Sequence, residues 1–351
     1  MTKGLQREGK GAAEGRELAN SCHPHTKSKK SIYAASCLFL AVVALGAPVC
    51  LGDPLPVRTK PLQIEMGTRL IGHAGALVYR GGMEITSTDK RFGGLSGLVV
   101  SADGREILAV SDRGWWVEGL LFYDDRGNLI GLRDANILPM QSRIQNGASR
   151  EFSMDAEALV RSGEGRLIVA FERQHRLWEY RDPISYPKPI HVNPSLSRLP
   201  LNSGIESVVL LGAGKLLAIA EGGIFEKQFL AFLIMNSGVV EMLYPYDDYF
   251  RPSDAALLDE GRVLVLERGY NKAAGVSARL VSLQRDSIEE NSEITRNLMI
   301  DLSGLVSMDN FEGLEVISGL AGEHIVYIVS DDNYSRRQRT LLIMFELELL
   351  K

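Results

Sequence analysis

Nine acidic residues recur at equivalent places in a repeated phrase, and their side chains have the clearest capacity for chemistry in this sequence. One set opens successive copies of the phrase: Glu157, Glu206, Asp254 and Glu312. A second set closes the apolar run that follows in each copy: Asp112, Glu172, Glu221, Glu267 and Asp331. Carboxylate oxygens are the ligands that a hard cation such as Ca²⁺ takes, and neighbouring carboxylates repel unless a cation or an arginine neutralises them.

These acids are predicted to have two roles. We predict a catalytic role for Glu157, Glu206, Glu312 and Asp112. We predict that a divalent cation, with Ca²⁺ favoured, is bound by Asp254, Glu172, Glu221, Glu267 and Asp331. In the alternative, each carboxylate caps backbone N–H groups in a tight turn or pairs with a neighbouring arginine, and serves the fold alone.

Arginines accompany the closing acids of four copies. Arg113, Arg173 and Arg268 follow them directly, and Arg336 comes shortly after Asp331. A guanidinium group grips phosphate or carboxylate in a bidentate fashion, so we predict that these four arginines bind a small anionic ester substrate. Pairing with carboxylates of the protein is an equal alternative for Arg173 and Arg268.

Other nucleophilic chemistry has no support in the sequence. No Gly-x-Ser-x-Gly elbow with a later Asp and His is present, and Ser96 occupies a slot that acids hold in other copies. The histidines after residue 52 show no metal-ligand spacing: His73, His175, His191 and His324. The three cysteines, Cys22, Cys37 and Cys50, all precede the expected start of the mature chain, which excludes a thiol nucleophile there.

The elements that must position these side chains are read from the repeat. Five copies are visible, and their key residues Ser96, Glu157, Glu206, Asp254 and Glu312 are separated by 61, 49, 48 and 58 residues. Each copy has two short aliphatic runs joined by a Gly/Asp turn, which is typical of a β-hairpin, and a further apolar run follows. The period is close to that of propeller blades with four strands each.

We therefore predict an all-β fold, a β-propeller with six four-stranded blades, with five or seven as alternatives. The sixth blade is expected from residues 69–85 together with the C-terminal strand, which would close the ring and leave no free sheet edge. Residues 53–351 are expected to form this single domain. Equivalent strand ends would then meet around one channel mouth, where acids distant in sequence come together.

The N-terminal segment 1–52 predicts export. Lys27, Lys29 and Lys30 stand before an apolar run at residues 32–47, as in a secretory signal peptide, and the run is too short for a membrane span. Cleavage is expected near Gly46 or, preferably, between Gly52 and Asp53, which predicts a periplasmic or secreted protein with no stable membrane span. An uncleaved anchor is the alternative. The roughly 30 polar residues before the lysines favour a start codon further downstream.

Cys50 does not predict a lipoprotein, because Val49 stands where a lipobox has a small residue.

The charge of the expected mature domain is acidic. The chain has 39 Lys and Arg against 44 Asp and Glu; segment 1–52 carries seven and three of these, so 32 and 41 remain and the net charge is −9. Binding to nucleic acid through counterion release needs clustered Lys and Arg, so we expect no nucleic-acid partner. Metal cations fit this surface better.

Several phrases of the sequence resemble the bacterial phytase-like family, whose members are known for esterase-like activity. The matching phrases are residues 93–98, 111–114, 155–159, 204–207, 251–255, 310–315 and 330–333. The resemblance spans residue 93 to the C-terminal region and implies a hydrolase of phosphate or carboxyl esters with calcium dependence. The rival interpretation is a non-catalytic propeller that binds an envelope ligand or a partner protein.

Overall fold

A computed structural model describes residues 52–144, 153–192, 194–212, 214–222, 228–245, 249–271, 275–305 and 309–350. Within these ranges it contains 23 β-strands and two short 3₁₀ helices, Pro194–Arg198 and Arg285–Ser287, which confirms the all-β prediction. No helix in the described ranges has the length and apolar character needed to cross a membrane. The predicted signal peptide and the three cysteines lie outside the described residues.

The chain begins with four strands that serve other parts of the fold before the first repeat starts. They are β1 (Asp53–Pro54), β2 (Val57–Pro61), β3 (Arg69–Ile71) and β4 (Gly75–Ser87). The first repeat is an antiparallel meander of β5 (Leu95–Val100), β6 (Glu106–Ser111), β7 (Trp115–Tyr123) and β8 (Leu129–Pro139). Strand β1 pairs with β8, so the N-terminal segment adds to this sheet.

Three further repeats each form a separate four-stranded antiparallel sheet. The second unit has β9 (Ala156–Arg161), β10 (Leu167–Phe171), β11 (Arg176–Tyr180) and β12 (Lys188–Ile190). The third has β13 (Ile205–Gly212), β14 (Lys215–Ala220), β15 (Gln228–Met235) and β16 (Gly238–Pro245). The fourth has β17 (Arg251–Asp259), β18 (Arg262–Asn271), β19 (Gly275–Gln284) and β20 (Arg296–Asp301).

The fifth unit combines the two ends of the chain. It contains β21 (Phe311–Ser318), β22 (His324–Ser330) and β23 (Thr340–Leu349), and β4 pairs antiparallel with β23 as the fourth strand. Strands β2 and β3 pair with β4 in turn. The strands that we expected to build a sixth blade therefore extend the sheet that begins at Phe311. Strand β4 also pairs in parallel with β8, so the described residues form three four-stranded sheets and one 11-stranded sheet.

The first strands of the five units contact one another in a closed cycle. Strand β5 contacts β9, β9 contacts β13, β13 contacts β17, β17 contacts β21, and β21 contacts β5 again. Five clusters of buried apolar residues lie between neighbouring units, one for each pair. Leu98, for example, packs towards the fifth unit and Val99 towards the second. Because both faces of each sheet are buried, these strands are continuous apolar runs without a polar alternation.

Candidate active site

A β-bulge in each first strand aims one side chain out of the regular ladder. In the pairing of the first two strands of each unit, one residue is skipped: Ser96, Glu157, Glu206, Ser253 and Glu312. A bulged residue is unpaired, and bulges recur beside active sites because they re-aim side chains. Three of the five equivalent positions are therefore glutamates, and two are serines.

In the fourth unit, the sequence predicted that Asp254 is equivalent to Glu157, Glu206 and Glu312, and this prediction is wrong. Its bulge lies at Ser253, so Asp254 falls in the ladder at the position of Gly97 and Ala158. The Asp254 carboxylate is fully buried and accepts hydrogen bonds from the backbone N–H groups of Ala255 (2.8 Å) and Leu314 (2.7 Å). It thus links the fourth and fifth units, and burial raises its pKa well above the ordinary value.

A second set of equivalent positions lies at the end of the second strand of each unit. Asp112, Glu172, Glu221 and Asp331 each donate a backbone N–H to a carbonyl just before the first strand of the same unit. In the fourth unit the corresponding residue is Arg268, which pairs with Arg251, and Glu267 lies one position earlier. This second set therefore consists of four acids and Arg268, and Glu267 does not belong to it.

Glu267 belongs to a buried ion-pair network at the outer strands. It accepts hydrogen bonds from Arg279 Nε (2.6 Å), Arg296 Nε (2.7 Å) and the hydroxyl of Tyr244 (2.6 Å). Because these three partners occupy its carboxylate oxygens, Glu267 has the role of an internal counter-ion of two arginines.

Five carboxylates converge between the second and third units. Asp155, Glu157 and Glu172 have oxygens within 4.8 Å of one another, and so do Glu172, Glu206 and Glu221. We call these five residues the acidic cluster. Asp155, Glu172 and Glu206 are buried, with 3%, 8% and 4% of their surface exposed. Such oxygen sets fit a hard divalent cation.

Asp155 was missed as a candidate by the sequence analysis. It stands before β9, two residues ahead of Glu157, and its carbonyl accepts the Glu172 N–H. Its equivalents in other units are Gly94, Gly204 and Asn310, so the repeat contains no acidic signal at this position.

Burial raises the pKa of four carboxyls in the acidic cluster, those of Asp155, Glu157, Glu172 and Glu206. The pKa of Glu172 is raised to about 7, chiefly by burial, although the Gly204 N–H stabilises its carboxylate. Burial also raises the pKa values of Glu157 and Glu206 well above the ordinary range, and the neighbouring carboxylates add to this effect. Glu206 makes no hydrogen bond or ion pair with any described residue.

Two of the predicted substrate-binding arginines contact these carboxylates. Arg173 Nε lies 2.5 Å from Asp155 Oδ2. Arg268 Nη1 lies 3.1 Å from Glu312 Oε1 and its Nη2 lies 3.6 Å from Glu221 Oε2. Burial raises the pKa of Glu312 to about 7 in spite of this arginine. The pairing that the sequence left open as an alternative is thus present for both arginines.

The remaining predicted residues lie at the boundary of the fifth and first units or on the surface. The guanidinium of Arg113 stacks on the ring of Tyr334 at 3.4 Å, and Arg336 is exposed. Asp331 is buried and accepts the N–H of Asn333 (2.7 Å). Burial raises the pKa of Asp112 to about 7, with Asp155 as the second cause. Neither Asp112 nor Asp331 belongs to the carboxylate groups that are close enough to share a cation.

Comparison with protein-family models identifies one family. The model named Phytase-like, with the description "Esterase-like activity of phytase", matches residues 90–334. This range runs from before β5 to just after β22, and it includes every residue of the acidic cluster and Glu312. No curated protein sequence matches the chain.

Solved structures show weak overall likeness. A luciferin-regenerating enzyme has 10% identity and a TM-score of 0.38, covering 74% of this chain and 92% of its own. The Cps50 (Swd1) β-propeller domain of Myceliophteria thermophila has 9% identity and a TM-score of 0.36, covering 83% and 99%. A streptogramin B lyase has 10% identity and a TM-score of 0.38, covering 85% and 98%. No activity follows from likeness at this level.

Proposed function

Because the chain belongs to the phytase-like family, we propose that it is a hydrolase of phosphate or carboxyl esters that works with a divalent cation, Ca²⁺ by preference, bound in the acidic cluster. The observation that carries this proposal is the convergence of Asp155, Glu157, Glu172, Glu206 and Glu221 from two units of the fold. A cation bound there would polarise the ester and lower the pKa of a bound water. The family description favours ester bonds and leaves the substrate open.

Glu312 is proposed as the proton-transfer residue. It lies at the bulge of the fifth unit, its Oε1 accepts a hydrogen bond from the side-chain amide of Asn310 (2.7 Å), and its pKa is about 7. A group that titrates near neutral pH can both accept and donate a proton, which suits general acid–base catalysis. Arg268 Nη1 lies 3.1 Å from the same oxygen and donates a hydrogen bond to Asn310 Oδ1 (2.9 Å), which holds the carboxylate in place.

The fold that supports this site is proposed to be a five-bladed β-propeller. Support comes from the closed cycle of first strands and from the five apolar clusters between neighbouring units. In this proposal, β4 closes the ring by pairing with β23.

Export of the protein is also proposed, with cleavage between Gly52 and Asp53 and a periplasmic or secreted destination. The apolar run after Lys27, Lys29 and Lys30 supports it, and so does the start of β1 at Asp53. N-terminal sequencing of the processed protein tests the cleavage site, and an intact residue 1–52 segment would contradict it.

Turnover assays test the hydrolase proposal. We expect the full chain to hydrolyse at least one of an aryl phosphate, phytate or an aryl ester with Ca²⁺ present, and to lose this turnover with chelator. Glu312→Gln should reduce turnover at least about 100-fold without a lower melting temperature, since general acid–base catalysis contributes 10²–10⁴-fold. Glu315→Gln, on the same strand but outside the acidic cluster, is the matched control and should retain turnover.

The second candidate is a non-catalytic propeller that binds an envelope ligand or a partner protein. One observation favours it: Arg173 and Arg268 contact carboxylates of the protein, which reduces their capacity to hold an anionic substrate. Bound Ca²⁺ with no turnover of any of the three substrate types would support this candidate and contradict the hydrolase.

A further inference from the structure

The acidic cluster consists of two groups that share one residue. Asp155 and Glu157 come from the start of the second unit, and Glu206 and Glu221 come from the third. Glu172, which follows β10, belongs to both groups, with oxygens within 4.8 Å of each. A carboxylate has two oxygens and can therefore contact one cation on each side.

Glu206 points to a ligand in this cluster that is not part of the protein. Only 4% of its surface is exposed, and it makes no hydrogen bond or ion pair with any described residue. Buried carboxylates are normally paired, hydrogen-bonded or bound to metal, because an isolated buried charge is costly. Glu267, which is also buried, has three hydrogen-bonding partners.

Arginines neutralise only part of the acidic cluster. Arg173 pairs with Asp155 and Arg268 with Glu221, which leaves Glu157, Glu172 and Glu206 without an ion pair to a described residue. Each of the two groups therefore keeps carboxylate oxygens for a cation.

We propose that the acidic cluster holds two divalent cations, one among Asp155, Glu157 and Glu172 and the other among Glu172, Glu206 and Glu221, with Glu172 as the shared ligand. This inference rests on the proposed cation site and adds its stoichiometry and its ligand assignment. Metal ions in two-metal sites lie about 4 Å apart, which is the spacing that one bridging carboxylate allows.

The test is the Ca²⁺ stoichiometry of the full chain after removal of metal with chelator and dialysis. Equilibrium dialysis with ⁴⁵Ca²⁺ should give two ions per chain for the wild type. Glu206→Gln and Asp155→Asn should each bind one ion, and Glu172→Gln should weaken both sites. Glu315→Gln, a carboxylate outside the cluster, should keep two.

Two measurements separate this inference from a folding defect and from the hydrolase proposal. Circular dichroism of the metal-free variants should match the wild type, because Gln removes a repelling charge and keeps the side-chain size. One ion per chain in the wild type, or loss of only one ion in Glu172→Gln, would overturn the shared-ligand inference while leaving the hydrolase proposal intact. Two bound ions without any turnover would overturn the hydrolase and support the two-cation site.

Discussion

Two glutamates that look alike in the repeat differ in what surrounds their carboxylates. Glu206 lies in the acidic cluster without a hydrogen bond or ion pair to a described residue, whereas Glu267 neutralises Arg279 and Arg296 away from the acidic cluster. Both are buried. The surroundings of each residue, and not its type, therefore determine whether a buried carboxylate is available for a ligand or holds the fold.

This difference gives a prediction for stability. Glu267→Gln leaves two buried guanidinium groups without a counter-ion, so the free energy of unfolding should fall by about 3–5 kcal/mol. Glu206→Gln removes one of several repelling carboxylates and should leave the metal-free protein equally stable or more stable. Urea unfolding without metal measures both. A Glu267→Gln protein as stable as the wild type would contradict the ion-pair role.

Glu315 gives a prediction for pH dependence. Burial raises the pKa of its carboxyl to about 7 from the ordinary value of 4.5. The folded state therefore holds the proton more tightly than the unfolded state, so the stabilising contribution of this group is full below about pH 4.5 and is lost as the pH rises through 7. Glu315→Gln removes this loss.

We expect Glu315→Gln to be more stable than the wild type by about 1–3 kcal/mol at pH 8 and to match it near pH 4.5. Thermal unfolding of both proteins at the two pH values measures the difference. An equal gain at both pH values would show that the titration of Glu315 is not its cause.

At the scale of the elements, close contact between first strands sets a limit on side-chain size. A Cβ on Gly97 of β5 would lie 2.7 Å from the backbone N of Leu159 and 3.1 Å from the carbonyl carbon of Ala158, both on β9. In the fourth unit the same ladder position holds Asp254, whose carboxylate bonds the Leu314 N–H of the next first strand. The first strands of neighbouring units are therefore joined by close backbone contact between β5 and β9, and by a buried carboxylate between β17 and β21.

Gly97→Ala should accordingly destabilise the protein by about 1–3 kcal/mol, since overpacking a close contact forces a backbone shift. Gly163→Ala is the matched control, because a Cβ there has no atom within 4 Å. Chemical denaturation of the two variants gives the comparison. Equal stability of Gly97→Ala and the wild type would mean that β5 and β9 are not in contact.

At the scale of the 53–351 region, the pairing of β4 with β23 joins the two ends of the chain. Val78 and Glu346 are direct partners across these strands, and partners in an antiparallel pair have Cα atoms about 4.5–5.5 Å apart, within the range of a disulfide. Asp53 and its neighbour Pro54 pair with β8 of the first unit, and β2 pairs with β4, so the N-terminal strands contact both the first and the fifth unit.

The double variant Val78→Cys/Glu346→Cys should form a disulfide under oxidising conditions and raise the free energy of unfolding by up to about 5 kcal/mol, because the cross-link closes a long loop. Comparison of the oxidised and reduced forms of the same protein controls for the substitutions. If the two cysteines remain free thiols after oxidation, β4 does not pair with β23 in solution.

The sequence by itself determined the all-β class, the family and the order of the five repeats. Short apolar runs between Gly/Asp turns are a local pattern, and the phrases around Ser96, Glu157, Glu206 and Glu312 recur in each copy. It also identified four of the five residues of the acidic cluster, because an acid at an equivalent repeat position is visible without knowledge of its neighbours.

Only the tertiary structure decided which acids meet. Every first strand has a bulge at the same ladder position, and in the fourth unit this position holds Ser253, so Asp254 lies one residue past it in the regular ladder. Asp254 and Glu267 are therefore not equivalent to the acids with which the repeat aligned them, and Arg268 takes the position of an acid in the fourth unit. The sequence also predicted that residues 69–85 combine with the C-terminal strand, but only the structure shows that this pairing of β4 with β23 extends the sheet that begins at Phe311.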